Sequence, residues 1–155
     1  LWLNSNFYNQ KITKSKKIKN KVYIERDTAA VKDIPERSIS NENEVKSYLL
    51  KNDFVPVKLG EIKFSEQVDL FHNADYIVGL HGAGFANLVF CKPGTKVIEF
   101  RSFTAGQAIE NLAKKNNLNY NPIITEAKHI YKYNTLTAQG HIQIPISSLS
   151  KILEN

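Results

Sequence analysis

Asp75-Tyr-Ile-Val-Gly-Leu-His81-Gly-Ala-Gly84-Phe-Ala-Asn87-Leu-Val-Phe-Cys91-Lys-Pro-Gly-Thr-Lys-Val-Ile-Glu99-Phe100 contains two apolar runs, Tyr76 to Val78 and Lys96 to Phe100. Both read as buried strands. Between them, small residues cluster around His81-Gly-Ala-Gly84. A histidine among glycines at a strand end is poorly suited to filling a core. Glycine lacks Cβ, so the backbone there can approach a ligand closely and can adopt positive φ. The apolar run from Gly84 to Cys91 predicts a short helix whose first N–H groups face the same spot, a geometry suited to an anion such as phosphate.

The alternation continues in both directions. Val22 to Ile24 predicts a first strand, and Ser40 or Asn41 caps a helix with Glu42 and Glu44 in its first turn. Val45, Tyr48, Leu49 and Leu50 give that helix an apolar stripe. Phe54 to Leu59 reads as a strand and Ser65 to Asn73 as a helix capped by Ser65. Ala105 to Lys115 is a helix with Ile109, Leu112 and Ala113 inward, Asn119 to Ile124 a strand, and Ile142 to Ile144 a short apolar segment before a closing helix. Glu126 to His141 carries no clear period. Strands alternating with helices at this spacing predict an α/β domain with a parallel sheet and helices on both faces. Ligands of such sheets bind beyond the carboxyl ends of the strands. Those ends here are Glu25-Arg26, Gly79-Leu-His81 and Glu99-Phe-Arg101.

The chain has 155 residues, 42% hydrophobic and 10% aromatic, enough for one domain with a real core. No apolar run is long enough for a membrane-spanning helix. The chain begins Leu-Trp-Leu-Asn and contains no Met, which suggests the C-terminal part of something longer. Its net charge of +6 comes from Lys11, Lys14, Lys16, Lys17, Lys19 and Lys21; the rest balances 15 basic against 15 acidic residues. Residues 1–20 therefore read as a basic linker from a preceding domain, with 21–155 as the folded domain. The lysines from Lys11 to Lys21 either remain solvated or make peripheral contact with an anionic membrane. No basic and aromatic stripe follows, so nucleic acid is not expected as a partner. The single cysteine, Cys91, excludes an internal disulfide; its apolar neighbours predict a buried structural thiol.

Ala74 to Phe90, followed by Pro93-Gly-Thr-Lys-Val-Ile-Glu99, resembles glycosyltransferase family 61. Tyr23-Ile-Glu-Arg26, Arg37-Ser-Ile-Ser-Asn-Glu42 and Phe64-Ser-Glu-Gln67 resemble further segments of that family, in the same order. The resemblance implies a Rossmann-like nucleotide-sugar-binding domain, the C-terminal half of a two-domain GT-B arrangement. It also implies inverting transfer of a sugar from a nucleotide diphosphate donor to an acceptor. Glu25 departs from the pattern, since a small residue before Arg26 is more usual.

On this reading Arg26 and Arg37 clamp the donor diphosphate, because guanidinium forks match its charge and geometry. His81 contacts the diphosphate or the sugar, or serves as a general base, with a buried His bonded to a carbonyl as the plain alternative. Gly82, Ala83 and Gly84 let N–H groups approach the phosphates, or else form a tight turn. Asn87 bonds either a donor hydroxyl or a loop carbonyl. Glu99, at a strand end, accepts from ribose hydroxyls or pairs with Arg101. Asn41 and Glu42 read as capping residues first. His72, His129 and His141 are too scattered for a metal cluster. No Asp-x-Asp triplet is present, so no metal or other cofactor is expected at the donor site.

Two other functions stay open: a Rossmann-type dinucleotide enzyme and a non-catalytic binding module. Against the former, the glycine-rich segment follows a later strand and does not read G-x-G-x-x-G. The Lys, Asn and Ile content suggests an AT-rich genome. The expectation is a bacterial enzyme of capsular or surface polysaccharide synthesis on the cytoplasmic side of the membrane, acting on a glycan or lipid-linked acceptor.

Overall fold

The computed structural model describes residues 20–26, 37–128 and 140–154. Lys11 to Lys19, most of the expected linker, and His129 lie outside them. Five parallel strands form the main sheet: β1 (Lys21–Ile24), β3 (Phe54–Val57), β4 (Tyr76–Leu80), β5 (Lys96–Ser102) and β6 (Asn119–Thr125), in the order β3-β1-β4-β5-β6. The α/β, Rossmann-like expectation is met. The strand order reverses between β1 and β4, and the register sets Ile24 opposite Gly79 and Gly79 opposite Glu99.

Each face of the sheet has its own core. On one, Tyr23, Val78, Ile98 and Phe100 pack with Val45 and Leu49 of α1 (Glu42–Lys51) and with Leu149 of α4 (Ile146–Glu154). On the other, Ile77 and Val97 pack with Phe71 of α2 (Phe64–Asn73), with Phe85 and Leu88, and with Ile109 and Ala113 of α3 (Ala108–Lys115). The pleat explains the division, because alternate residues of one strand point to opposite faces. Cys91 is buried in the second core, and burial pushes its thiol up to about 12.

Several local expectations are corrected. Leu50 is not part of the buried stripe of α1; it is half exposed. Ser65 does not cap α2. Lys63 holds the cap position, and its N–H donates to the Glu66 carboxylate at 2.8 Å. The helix expected over 84–91 is a 3-10 helix, Ala83–Phe90. The Asn41 side chain does not cap α1; its amide donates to the Ile144 carbonyl at 2.9 Å and accepts from the Ile144 N–H at 3.0 Å. Lys21 is not freely solvated: Nζ donates to the Asn52 carbonyl at 2.8 Å and lies over the rings of Phe54 and Tyr76.

A second, small sheet was not foreseen. β2 (Arg37–Ile39) runs parallel to β8 (Gly140–Ile142), and β7 (Ala127–Lys128) runs antiparallel to β8. Ile39 and Ile142 join the first core, fastening this sheet to the main one. Among the described residues, no helix is long and apolar enough to cross a membrane.

Candidate functional site

The reversal in strand order fixes where a crevice opens. Loops leaving β1 and β4 diverge at such a point and leave a gap beyond the strand ends. Arg26 follows β1, His81 follows β4, and the small sheet brings Arg37 across them. Arg26 Nη1 donates to the Arg37 carbonyl at 2.8 Å, and Arg37 Nη1 donates to the His81 carbonyl at 3.4 Å. Three residues far apart in sequence are thus joined by hydrogen bonds. Two small cavities meet at Arg37 and Leu80. One is bordered by Ile24, Arg26 and Glu42, the other by His81, Arg101 and Ser102. Glu25 turns away to pair with Lys46 of α1 at 2.5 Å.

His81 is held from two sides. Its backbone N–H donates to the Phe100 carbonyl at 2.8 Å, and its Nδ1 donates to Glu99 Oε1. The Tyr120 hydroxyl donates to Glu99 Oε2. An ionised carboxylate only accepts hydrogen bonds, so the proton is placed on Nδ1 and Nε2 remains for chemistry. Burial, then the Glu99 carboxylate, raises the Tyr120 hydroxyl above its ordinary value and keeps it a donor.

Glu99 is not where a ribose would need it. β5 continues to Ser102, so Glu99 lies within the sheet, 0% exposed, with both oxygens engaged by His81 and Tyr120. It does not pair with Arg101 either. Its position makes it an orienting group for His81. Asn87 Nδ2 donates to Gln67 Oε1 at 2.9 Å, and Gln67 Nε2 donates to the Leu59 carbonyl at 2.9 Å. Asn87 thus ties the 3-10 helix to α2 and the loop after β3.

The glycines divide into two kinds. None of Gly79, Gly82 and Gly84 has the positive φ that the sequence allowed. A Cβ on Gly79 would meet Ile24 Cβ at 3.1 Å, and one on Gly84 would meet Leu59 Cδ1 at 2.9 Å, so both are small because the elements touch. Gly82 is extended and has room, its nearest neighbour being the Leu80 carbonyl oxygen at 3.7 Å. Packing does not explain Gly82. Ala83 is exposed at the start of the 3-10 helix. Glu42 faces the crevice and accepts from the Tyr23 hydroxyl at 3.4 Å, whereas Asn41 is occupied by Ile144. Sequence reasoning passed over Tyr120 and the second sheet. Tyr120 showed only as a residue of an expected strand, with nothing to indicate its partner.

The sequence profile of the Glycosyltransferase 61 family matches residues 2–98. The chain belongs to this family. The matched region holds Arg26, Arg37, His81 and the 82–84 loop, and it includes the segment read as a linker. The EGF domain-specific O-linked N-acetylglucosamine transferase of Gallus gallus is 33% identical over 89 residues, which is 54% of this chain and 17% of that protein. The protein of the same name from Canis lupus familiaris is 30% identical over 89 residues, with the same coverage. That from Bos taurus is 29% identical. This chain spans about a sixth of the length of these relatives.

Proposed function

We propose that this domain binds the nucleotide diphosphate of a sugar donor for an inverting transfer to an acceptor hydroxyl. The observation that carries the reading is the linked set Arg26, Arg37 and His81 at the reversal in strand order. Direct displacement releases a nucleoside diphosphate, whose growing charge needs preorganised donors. Two guanidiniums suit that task, and the clamp is proposed to act without a metal. His81, oriented by Glu99, offers Nε2 to the leaving phosphate or the sugar. The room at Gly82 allows the backbone to approach the phosphates. A GT-B partner domain would complete the acceptor site and supply the base.

The names of the relatives make N-acetylglucosamine the first donor sugar to try and a protein hydroxyl an acceptor alongside glycans and lipid-linked sugars. A capsular role rests on composition alone. The test is calorimetric titration with UDP, GDP, CDP and NAD, with and without Mg²⁺. Micromolar binding of one nucleoside diphosphate, weakened roughly ten-fold or more in Arg37→Ala, is expected, since hydrogen bonds to charged groups contribute about 1.5–3 kcal/mol. Preference for NAD would favour the dinucleotide alternative. Silence toward every ligand would favour a scaffold role.

A further inference from the structure

We propose that Tyr120 is a positioning residue for His81, acting through Glu99 to hold the imidazole with its proton on Nδ1 and Nε2 open to the crevice. What this does to a ligand rests on the donor-binding reading above; the state of the imidazole does not. His81 and Glu99 are 18 residues apart in sequence, and Glu99 and Tyr120 are 21 apart. The sheet brings them into line. Val97 and Glu99 point to one face of β5, and Tyr120 stands opposite Val97 on β6. Its long side chain reaches up that face to Glu99. His81 closes the line from the other side, with its backbone N–H already fixed to the Phe100 carbonyl.

Glu99 is 0% exposed, and its two oxygens are met by the His81 Nδ1–H and the Tyr120 hydroxyl. A buried carboxylate stays ionised only while donors meet its oxygens. Tyr120 supplies one of them, and burial keeps the phenol in its protonated, donating form. The other charges nearby are engaged elsewhere. Arg101, two residues along the same face, turns Nη1 to the Gly106 carbonyl, and Glu110 of α3, which borders the same cleft as Tyr120, pairs with Lys114 at 2.7 Å. Without the hydroxyl, Glu99 Oε2 is orphaned. The carboxyl then takes one proton from solvent, and a neutral carboxyl can donate to Nδ1. The imidazole in turn carries its own proton on Nε2, so the atom facing the crevice changes from acceptor to donor.

The test is nitrogen NMR of the histidine rings in the intact chain, wild type against Tyr120→Phe, with His81 assigned by the signal lost in His81→Gln. Wild type is expected to show Nδ1 protonated and Nε2 bare. Tyr120→Phe is expected to move His81 to the Nε2–H form, alone or in exchange with the first, while His72 and His141 keep their signals. Para-aminophenylalanine in place of Tyr120 restores an N–H donor and should return the wild-type form; a merely structural role predicts no such rescue. An unchanged tautomer in Tyr120→Phe, or an Nε2–H tautomer in the wild type, overturns the proposal. Should Tyr120→Phe fail to fold, the wild-type hydroxyl decides: its proton is expected to be protected from exchange, and exchange at the rate of an exposed phenol overturns the proposal. Calorimetric titration with UDP, GDP and CDP then separates this inference from the donor reading. A loss of roughly three- to ten-fold in Tyr120→Phe supports both. A changed tautomer with unchanged binding keeps the positioning role and removes His81 from the donor site. A changed tautomer in a chain that binds no diphosphate keeps the positioning role and removes the donor reading.

Discussion

A methyl group added at Gly84 would lie 2.9 Å from Leu59 Cδ1 and 3.4 Å from Ile24 Cγ2, while at Gly82 nothing lies closer than 3.7 Å. The same substitution should therefore differ in its consequences two residues apart. Gly84→Ala displaces the tip of the partly buried Leu59 side chain, and is expected to cost at most about 1 kcal/mol without touching the crevice. Gly82→Ala should leave the melting temperature within a degree or so of wild type and weaken diphosphate binding, because the new Cβ stands where phosphate oxygens would approach. Melting curves and titrations on the two variants check this. Unchanged binding in Gly82→Ala would remove this loop from the donor site.

At the level of elements, the crevice depends on a side chain that makes no contact with the proposed ligand. Asn41 holds both the N–H and the carbonyl of Ile144, a residue with no exposed surface, and so fixes the approach to α4 beside the start of α1. Asn41→Ala would leave two backbone groups unpaired, at a cost of about 2 kcal/mol. A drop in melting temperature of roughly 4–8 °C should follow. Thermal denaturation tests this directly, and a drop under one degree would show that water replaces the amide without loss. The sequence announced the main sheet well, because β1, β3, β4 and β5 are apolar runs spaced by helical periods. It concealed the second sheet. Arg37 to Ile39 is three residues long, lies in a polar stretch and pairs with residues about a hundred positions away, so no local period marks it. The site was legible in the same uneven way. Arg26 and His81 follow from the rule that ligands meet strand ends, whereas Glu99 was misplaced because nothing local says that β5 continues to Ser102.

For the molecule as a whole, buried protons set an alkaline limit. Burial raises Cys91 from 9.0 to about 12. Burial, then the charge of Glu42, raises Tyr23 above 10.0, and burial with Glu99 does the same for Tyr120. The unfolded chain releases these protons first, so above pH 9 it binds fewer than the native state, and stability falls as pH rises. The contribution is intact below pH 9, declines through about pH 12 for the thiol, and declines faster above pH 10 as the tyrosines join. Melting temperatures measured from pH 8 to 10.5 should hold steady and then fall; a flat profile would contradict the burial of all three. Another consequence follows from the small sheet and the Asn41 amide, whose partners lie 102 to 103 residues further along the chain. A ribosome delivers residues in order, so Arg26, Arg37 and His81 have all emerged well before Ile142 and Ile144 arrive to position them. The nascent polypeptide can pair β1, β3, β4 and β5 while its crevice is still unroofed. Completion of the crevice is thus reserved for the last act of synthesis, and a prematurely terminated product would have most of the sheet without the strand that pairs with β2 and holds Arg37 across it.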